Sequence, residues 1–407
     1  MNATRRNFLQ LAGGTAAALR LGGLAARADE KPIPGFENAV TDREAAKSWK
    51  TVSDRKIRVG IAGYGYCKFG AAFGFQNHPN VTVAAVTDLI PGRCAELAQA
   101  CRCAKTYPSC EEMLKDDSLE AVFLATDAPS HARLAIAALQ AAKHVASAVP
   151  AVFGSLDEAD QLLRAVKTAG RQYMMFETSV FHEDLYAMSQ MYRAGRLGKV
   201  VYAEGEYWHY MTAPLPSYDP ESREVNLKGW RVGLPPQWYP THSNAYYVGV
   251  TGGSFTEVSC MGMPSILEHL QPGNNRYKNP FGTEIALFRT SEGGMARMAV
   301  SWDTPGLAGE MGRIRTQKGT FYGQFQGSEG GKGEALIKRP PLPPGVDAGG
   351  HGGAHGNLMS EFVEAILQNR KPLVDVARAL ALTAGGIVAH QSACKDGELL
   401  QIPQYAL

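Results

Sequence analysis

Several side chains that could transfer protons occur in separate segments of the chain. Histidine titrates near neutral pH, so an imidazole can both accept and donate a proton there. The catalytic candidates are Tyr239, His242, His351 and His355, and Glu177 and His182 are candidate substrate contacts that could face the same cleft. These residue types indicate acid–base catalysis. For Glu177 and His182 a structural role in a capped loop is an equal alternative.

His351 and His355 lie in a glycine-rich stretch, 349–356, and are four residues apart. Metal sites use such spacing, but this stretch has the composition of a loop and lacks a neighbouring carboxylate or third histidine. We therefore predict no metal site. We expect two exposed imidazoles just before a helix over 357–368, whose N-terminus favours an anion or a ligand oxygen.

A glycine turn lies between two apolar segments in the first half of the chain. Residues 57–62 predict a strand, Gly63 and Gly65 form a turn, and a second strand over 81–87 ends at Asp88. This is the order of a dinucleotide-binding fingerprint. Gly63 permits the tight turn, and Gly65 lets the backbone approach a pyrophosphate at a helix N-terminus.

The acid at the end of the second strand predicts the cofactor. A carboxylate accepts hydrogen bonds from ribose hydroxyls and repels a 2′-phosphate, so Asp88 favours NAD over NADP. Arg93 is close enough in sequence to soften that preference. Tyr66, within the glycine turn, is a further cofactor contact. The third glycine of the fingerprint is replaced by Lys68, so close helix–strand packing requires Gly70 to take its place.

Alternating short strands and helices continue to about residue 176 and predict a doubly wound parallel sheet. Ligands of such sheets bind at the carboxyl ends of the strands. Thr126 and His131 follow the strand over 121–125, and we expect them at the cofactor. Capping of the helix that begins at 131 is a compatible structural role for this segment.

The second half predicts strands over 200–210, 254–263, 284–289, 295–302 and 314–325, in keeping with an antiparallel sheet. Residues 213–248 are irregular in pattern and rich in aromatic residues, and long loops of this kind are often functional. Trp230 and Trp238 offer flat surfaces suited to sugar rings. For any single aromatic residue a place in the core is the stronger alternative.

The N-terminal residues resemble an export signal. Two arginines, Arg5 and Arg6, precede an apolar stretch and an Ala-x-Ala site ending at Ala28, which predicts twin-arginine export to the periplasm. We divide the chain into a signal over 1–28, an arm over 29–54, a nucleotide-binding domain over 55–180, a substrate domain over 181–345 and C-terminal helices over 346–407.

Charge and composition exclude several classes of protein. The 407 residues include 41 basic and 39 acidic side chains, and removal of the signal takes away four arginines and no acid. The near balance argues against a nucleic-acid partner. We expect no membrane association after the signal is removed. For the clustered cysteines 94, 101, 103 and 110, buried free thiols are favoured over a disulfide between Cys103 and Cys110.

Two stretches, 125–131 and 135–145, resemble the glucose–fructose oxidoreductase, inositol dehydrogenase and MocA family. The resemblance covers most of 55–403 and implies a fold: an N-terminal Rossmann domain and a C-terminal α/β domain with an open, mostly antiparallel sheet. It also implies NAD or NADP as the cofactor, a sugar or polyol substrate and a homo-oligomer formed through the open sheet. A histidine after the second-domain loop is the family's acid/base, which makes His242 the first candidate and Tyr239 the next.

The family's Glu-Lys-Pro tripeptide is replaced here by Ala148-Val149-Pro150, so its lysine cannot move a proton. The stretches 174–177, 239–242 and 351–353 resemble the branch of NAD-dependent N-acetylgalactosaminidases. Three hypotheses follow. The first is an exported oxidoreductase with tightly bound NAD. The second is a redox-neutral enzyme that oxidises a hydroxyl, eliminates the glycosidic group and reduces the product. The third is a non-catalytic cofactor-binding protein.

Overall fold

The computed structural model describes residues 49–211, 213–219, 221–305, 309–327 and 338–407. The predicted signal, 1–28, lies outside the described residues, as does most of the predicted arm, of which 49–54 is described.

The first sheet is parallel and contains six strands. They are β1 (Ile57–Ala62), β2 (Val81–Thr87), β3 (Thr106–Tyr107), β4 (Ala121–Leu124), β5 (His144–Ser147) and β6 (Tyr173–Met175). Their spatial order is β3-β2-β1-β4-β5-β6, which is the order of a dinucleotide-binding fold. The ligand-binding crevice of such a sheet lies where β1 and β4 part, at their carboxyl ends. The predicted doubly wound parallel sheet is confirmed.

Helices connect these strands. They are α1 (Phe69–Ala72), α2 (Pro91–Ala100), α3 (Cys110–Leu114), α4 (His131–Gln140) and α5 (Leu156–Ala169). Serine caps begin two of them: Ser109 accepts from the backbone N–H of Glu112, and Ser155 from that of Glu158. Each capping side chain satisfies a backbone donor that the helix itself leaves free.

The second sheet contains eight strands. They are β7 (Val200–Trp208), β10 (Phe255–Pro264), β11 (Phe281–Thr290), β12 (Met295–Ser301), β13 (Gly309–Thr316), β14 (Gly319–Tyr322), β15 (Gln324–Gly327) and β16 (Leu400–Gln401). The order is β15-β14-β13-β7-β12-β11-β10-β16, and every pairing is antiparallel except that of β7 with β12. The predicted open, mostly antiparallel sheet is confirmed. The single strand predicted over 314–325 is wrong, because the chain turns after Thr316 and again after Tyr322.

The segment predicted to be irregular, 213–248, is largely ordered. It forms a hairpin of β8 (Ser217–Asp219) and β9 (Glu224–Asn226), and then enters helix α7 (Thr241–Thr251). Ten of the eleven residues of α7 are buried, so its sequence has no polar face and no helical period. For this reason the pattern of apolar residues did not reveal the helix.

The remaining helices are α6 (Glu183–Arg193), α8 (Gly350–Gly353), α9 (His355–Leu367) and α10 (Val376–Ala393). Helix α10 contacts β6 of the first sheet and β10 of the second, so the C-terminal segment joins the two sheets. Short 3-10 helices occur at Phe75–Asn77, Ala128–Ser130, Thr178–Phe181, Pro236–Trp238, Glu268–Leu270 and Pro272–Asn274.

Two further findings concern the described residues as a whole. None of their helices combines the length and the apolar character needed to cross a membrane. The four clustered cysteines, 94, 101, 103 and 110, are buried free thiols.

Candidate active site

The glycine turn after β1 has the geometry that the fingerprint requires. Gly63 has a φ of 101°, and a Cβ there would lie 2.3 Å from the carbonyl oxygen of Ala125. A Cβ on Gly70 would lie 2.3 Å from the carbonyl oxygen of Gly63, so helix α1 packs closely on the turn. Gly70 therefore replaces the missing third glycine. Lys68 instead pairs with Glu96 at 2.6 Å.

A cleft with about 1020 Å³ of empty space opens above this turn. Of the predicted cofactor residues it is lined by Gly63, Gly65, Tyr66, Asp88, Arg93 and Thr126. The Asp88 carboxylate accepts the backbone N–H of Tyr64 at 2.7 Å and that of Ile90 at 2.9 Å. These bonds fix the carboxylate at the end of β2, where Asp88 lines the cleft.

The His131 ring does not line this cleft. It is buried, with Nδ1 2.9 Å from the carbonyl oxygen of Pro150 and Nε2 3.3 Å from that of Thr126. Burial lowers the pKa of His131, and the neutral ring has one N–H, which donates to one of these two carbonyl oxygens. The structure therefore gives His131 a structural role in place of the predicted cofactor contact.

The residues of the cleft fit a dinucleotide. A Cβ added to Gly65 would meet open space, which leaves room for a phosphate against the backbone. Gly63 and Gly65 would hold the pyrophosphate, Asp88 the ribose hydroxyls, and Thr126 the region toward the nicotinamide.

His242 lies in the first turn of α7, buried among acidic groups. Its Nδ1 is 2.8 Å from Oε1 of Glu177 and 3.4 Å from Oε1 of Glu310. Glu177 follows β6 and also caps the next 3-10 helix by accepting the N–H of Ser179 at 2.9 Å. Glu177 therefore has both of the roles that the sequence left open: it caps a helix and it contacts His242.

The two carboxylates determine the charge of His242. Burial by itself lowers the pKa of the imidazole, but Glu177 and Glu310 outweigh it and raise the pKa to about 9. Burial raises the pKa of Glu177, and the nearby imidazolium overcomes this and lowers it below its ordinary value. At neutral pH the site therefore holds an imidazolium between two carboxylates.

Glu310 was not predicted from the sequence. It is the second residue of β13, its Oε2 accepts the Ser179 hydroxyl at 2.7 Å, and it lies 3.0 Å from Nε2 of His182. Glu310, Gly312 and Ile314 alternate along one face of β13, and Ile314 on that face is fully buried. The alternation that places Glu310 on the same strand face as the buried Ile314 is the sequence feature that could have indicated it. Among the described residues, Glu177, His242 and Glu310 form the one group spaced like metal ligands, within 4.8 Å.

His351 and His355 also meet this cluster. The His351 ring stacks 6.4 Å from that of His242, and its Nδ1 is 2.8 Å from Nε2 of His355. The prediction of two exposed imidazoles in a loop is wrong for His355. That ring is buried in the first turn of α9 and stacks 4.2 Å from Phe73. Burial, and to a lesser extent His351, lower the pKa of His355 to about 4.

Phe69 connects the histidines to the cofactor cleft. Its side chain lines the cleft, and its ring lies 5.6 Å from that of His351. Because Phe69 begins α1 directly after the glycine turn, the acid–base cluster lies beside the cleft.

The predicted aromatic residues occupy different environments. Tyr239 is buried 5.7 Å from the His242 ring, and burial raises its pKa above the ordinary value. Trp230 lines the cleft. The Trp238 ring instead packs edge-on against Phe153 at 5.3 Å, in a cluster outside the cleft. Trp238 therefore supports the core, in keeping with the alternative weighed for single aromatic residues.

Tyr207 and Arg231 are further site residues that were not singled out as candidates. The Tyr207 ring lies 4.6 Å from His242. The guanidinium of Arg231 lines the cleft, stacks 4.4 Å over Trp230 and donates to Sγ of Cys67 at 3.7 Å. It brings a positive charge from the second domain to the glycine turn, in a chain that has Val149 where the family has lysine.

Residues 57–177 match the profile of the oxidoreductase family described as an NAD-binding Rossmann fold, GFO_IDH_MocA. The nucleotide-binding half of the chain is therefore similar to the Gfo/Idh/MocA oxidoreductase family. The description of that family as NAD-binding agrees with the cofactor predicted from Asp88.

Similar proteins extend the likeness beyond this domain. A glycosyl hydrolase family 109 protein of Streptomyces niveus is 24% identical over 388 residues, which cover 86% of this chain and 77% of the relative. Glycosyl hydrolase family 109 protein 1 of Bacteroides fragilis is 29% identical over 171 residues, which cover 40% of this chain and 37% of the relative.

Solved structures share the fold across both domains. Levoglucosan dehydrogenase in complex with NADH and levoglucosan aligns with a TM-score of 0.71 and 18% identity, covering 86% of this chain and all of that one. The apo scyllo-inositol dehydrogenase of Lactobacillus casei aligns with a TM-score of 0.65 and 16% identity, covering 86% of this chain and 99% of that one.

Proposed function

We propose that this protein is an NAD-dependent oxidoreductase that acts on a sugar or polyol, with His242 as its acid/base. The observation that carries the proposal is the imidazole of His242, bound to Glu177 at 2.8 Å beside the cofactor cleft. An oriented imidazole between a carboxylate and a substrate position is a recurrent arrangement for proton transfer.

Bound NAD supplies a hydride acceptor when oxidised and a hydride donor when reduced. His242 supplies the proton. Because its pKa is raised to about 9, the ring is protonated at neutral pH and acts there as an acid that donates to a carbonyl oxygen. As a base toward a hydroxyl group it works only when the pH approaches 9.

The other residues of the site orient the ring and exclude water. Glu177 accepts the Nδ1 proton, which leaves Nε2 for the substrate oxygen. Tyr207 and Tyr239 surround the ring, and burial keeps both phenols protonated as hydrogen-bond donors. Arg231 at the cleft offers a fixed positive charge for a substrate oxygen.

A second candidate is redox-neutral cleavage of a glycosidic bond. It is favoured by relatives named as glycosyl hydrolases over 86% of this chain, and by the Tyr239–His242 segment that lies in the site. An imidazolium at neutral pH could protonate the departing glycosidic oxygen as well as a carbonyl oxygen. Such a reaction would leave NAD in its starting redox state, which suits a protein that works away from the cellular NAD pool.

The experiment separates these candidates on one preparation. Cofactor released from the purified protein is identified by mass spectrometry. The protein is then given aryl glycosides without added NAD, and sugars and polyols with added NAD while absorbance at 340 nm is followed. Reduction of added NAD supports the oxidoreductase, and aryl release without NAD supports the glycosidase. No activity in either assay, with cofactor bound, supports a non-catalytic cofactor-binding protein.

We also propose that the mature protein is periplasmic and forms a homo-oligomer through the second sheet. Export rests on the arginine pair at 5–6 and the cleavage site at 28. The oligomer rests on exposed apolar side chains on one face of the sheet, away from α7 and α10. These are Met261, Ile285, Leu287 and Met295.

A further inference from the structure

A second histidine–carboxylate pair lies outside the cofactor cleft, between α10 and the second sheet. Nδ1 of His390 is 2.7 Å from Oε1 of Glu284. Glu284 is fully buried on β11, and its Oε2 accepts the backbone N–H of Gln237 at 2.7 Å. The carboxylate is thus held from both sides, and it holds the imidazole in turn.

This pair fixes which ring nitrogen of His390 carries the proton. A carboxylate oxygen accepts, so Nδ1 of His390 carries the hydrogen of the bond to Glu284, and Nε2 is the ring nitrogen left for a second partner. Edge-on contacts with the rings of Trp238, at 5.6 Å, and Phe281, at 6.2 Å, keep the imidazole in place. His390 therefore presents an oriented basic nitrogen.

A thiol lies at that nitrogen. Cys394 is one turn further along α10, and its Sγ is 3.6 Å from Nε2 of His390. Of the seven cysteines, Cys394 and Cys67 are the exposed ones. Cys394 is thus placed as a nucleophile, His390 as its base and Glu284 as the carboxylate that orients the base. Cysteine nucleophiles that depend on a histidine have this arrangement.

We propose that Cys394 is a thiol–disulfide exchange site, in which His390 removes the thiol proton as Sγ attacks a small disulfide. A bond forms between Sγ and one sulfur of the disulfide, and the original sulfur–sulfur bond breaks. The proton passes from Sγ to Nε2 and then to the departing thiolate. Cys394 is oxidised to a mixed disulfide, and the departing half is reduced to a thiol.

The charged surroundings explain why the base is needed. Burial and the negative charge of Glu284 raise the pKa of Cys394, so the thiol ionises less readily by itself than an ordinary thiol. Cys260 on β10 also interacts with Glu284 and Cys394, and burial raises its pKa too, so it remains neutral. A thiolate with a high pKa is a strong nucleophile once formed, which makes proton removal the decisive step.

Cys67 provides the internal comparison. It is exposed like Cys394, but it contacts Nη2 of Arg231 at 3.7 Å in place of a histidine. In a Cys67→Ser protein the one exposed cysteine is Cys394. The probe is 5,5′-dithiobis(2-nitrobenzoate), whose departing thiolate is coloured, and mass spectrometry of peptides identifies the modified residue.

In the Cys67→Ser protein we expect one fast thiol, located at Cys394, with a rate that levels off below pH 8. Adding His390→Asn should slow the reaction at pH 7 by about tenfold, because an ordinary thiol with a pKa of about 8.5 is only a few per cent thiolate there. At pH 10 the two proteins should react at similar rates. A merely structural role for His390 would not give a difference confined to low pH.

Three results would overturn the proposal. They are an unchanged pH–rate profile in His390→Asn, a fast phase that survives Cys394→Ser, and modification mapped to a buried cysteine. Circular dichroism establishes that each variant is folded. If His390→Asn does not fold, the profile of the Cys67→Ser protein decides. Levelling below pH 8 supports the proposal, and a tenfold fall per pH unit down to pH 6 contradicts it.

Discussion

At the scale of single residues, the charge on His242 controls what the site can do. Three groups that are far apart in sequence, Glu177, His242 and Glu310, share one buried volume, and their interaction raises the pKa of the imidazole to about 9. Histidine between two carboxylates is a proton donor at neutral pH and a base only in alkali.

Replacement of His242 by alanine should lower turnover by roughly 10²–10⁴-fold, the usual contribution of a general acid or base. NAD affinity should hardly change, because Gly63, Gly65 and Asp88 lie in the other domain. Turnover is measured with the substrate found in the screen above, and NAD binding by titration. Near-normal turnover in His242→Ala together with loss in His351→Ala would mean that the neighbouring ring is the catalytic one.

The pH dependence follows from the direction of the shift. A proton-donating step needs the imidazolium, so carbonyl reduction should be fast at pH 7 and decline as pH rises through about 9. Glu310→Gln removes one carboxylate and should move that decline to lower pH. As a matched control, Glu206→Gln changes a carboxylate on the other face of the sheet, paired with Arg297, and should leave the profile in place. Identical profiles for wild type and Glu310→Gln would contradict the assignment.

Asp88 should determine the choice of cofactor. Its carboxylate lines the cleft at the end of β2, where it would repel a 2′-phosphate. We expect tighter binding of NAD than of NADP by the wild type, and a reduced preference in Asp88→Ala. Titration of the cofactor-free protein with both compounds measures this. Tighter binding of NADP than of NAD by the wild type would instead indicate that Arg93 determines the choice of cofactor.

At the scale of elements, the position of His242 depends on how closely α7 lies on the second sheet. A Cβ on Gly205 of β7 would be 2.0 Å from the carbonyl oxygen of Ser243, and one on Gly312 of β13 would be 2.4 Å from the Tyr246 ring. Two glycines on neighbouring strands thus let the helix backbone approach the sheet, and this approach brings His242 to Glu310.

Gly205→Ala should therefore push α7 away from the sheet and lower both stability and turnover. Overpacking of this kind typically costs about 1–3 kcal/mol. Gly92→Ala is the control, because a Cβ at that position in α2 meets open space and should be neutral or slightly stabilising. Thermal unfolding and turnover of both variants are compared. Equal melting temperatures for Gly205→Ala and wild type would show that α7 has room to move.

At the scale of the whole molecule, the two faces of the second sheet differ. One face packs against α7 and α10, and the other leaves apolar side chains such as Ile285 and Leu287 exposed on β11. Met261 on β10 lies opposite Ile285, which extends the apolar surface across strands. Apolar surface of this extent on a sheet is typical of a subunit interface.

A charge placed on that face should dissociate the proposed oligomer. In Leu287→Asp we expect a lower molecular mass by light scattering after gel filtration, with an unchanged circular dichroism spectrum. Leu227→Asp, at an exposed leucine that directly follows β9 and lies outside the second sheet, is the control and should keep the mass of the wild type. A wild-type protein that elutes as a monomer would contradict an interface on this sheet.

The fold and the candidate cofactor residues of the nucleotide-binding half could be predicted from the sequence. Strand β1, the turn at Gly63 and Gly65, and Asp88 lie within about thirty residues, and each has a local requirement that the residue type reveals. The parallel sheet, the second sheet of mostly antiparallel strands and the preference for NAD follow from short-range pattern. His242, Tyr239 and Glu177 were identified by residue type and motif, without their partners.

The assembly of the acid–base group depends on tertiary contacts and could not be predicted from the sequence. Glu177, His242 and Glu310 come from the ends of three elements separated by more than sixty residues each, and their contact depends on the packing of α7 against β7 and β13. No local pattern encodes that distance. The same reason explains the corrections at His131 and Trp238, because packing against other residues keeps each ring out of the cleft that its residue type suits. The raised pKa of His242 likewise exists only where folding places two carboxylates beside a desolvated ring.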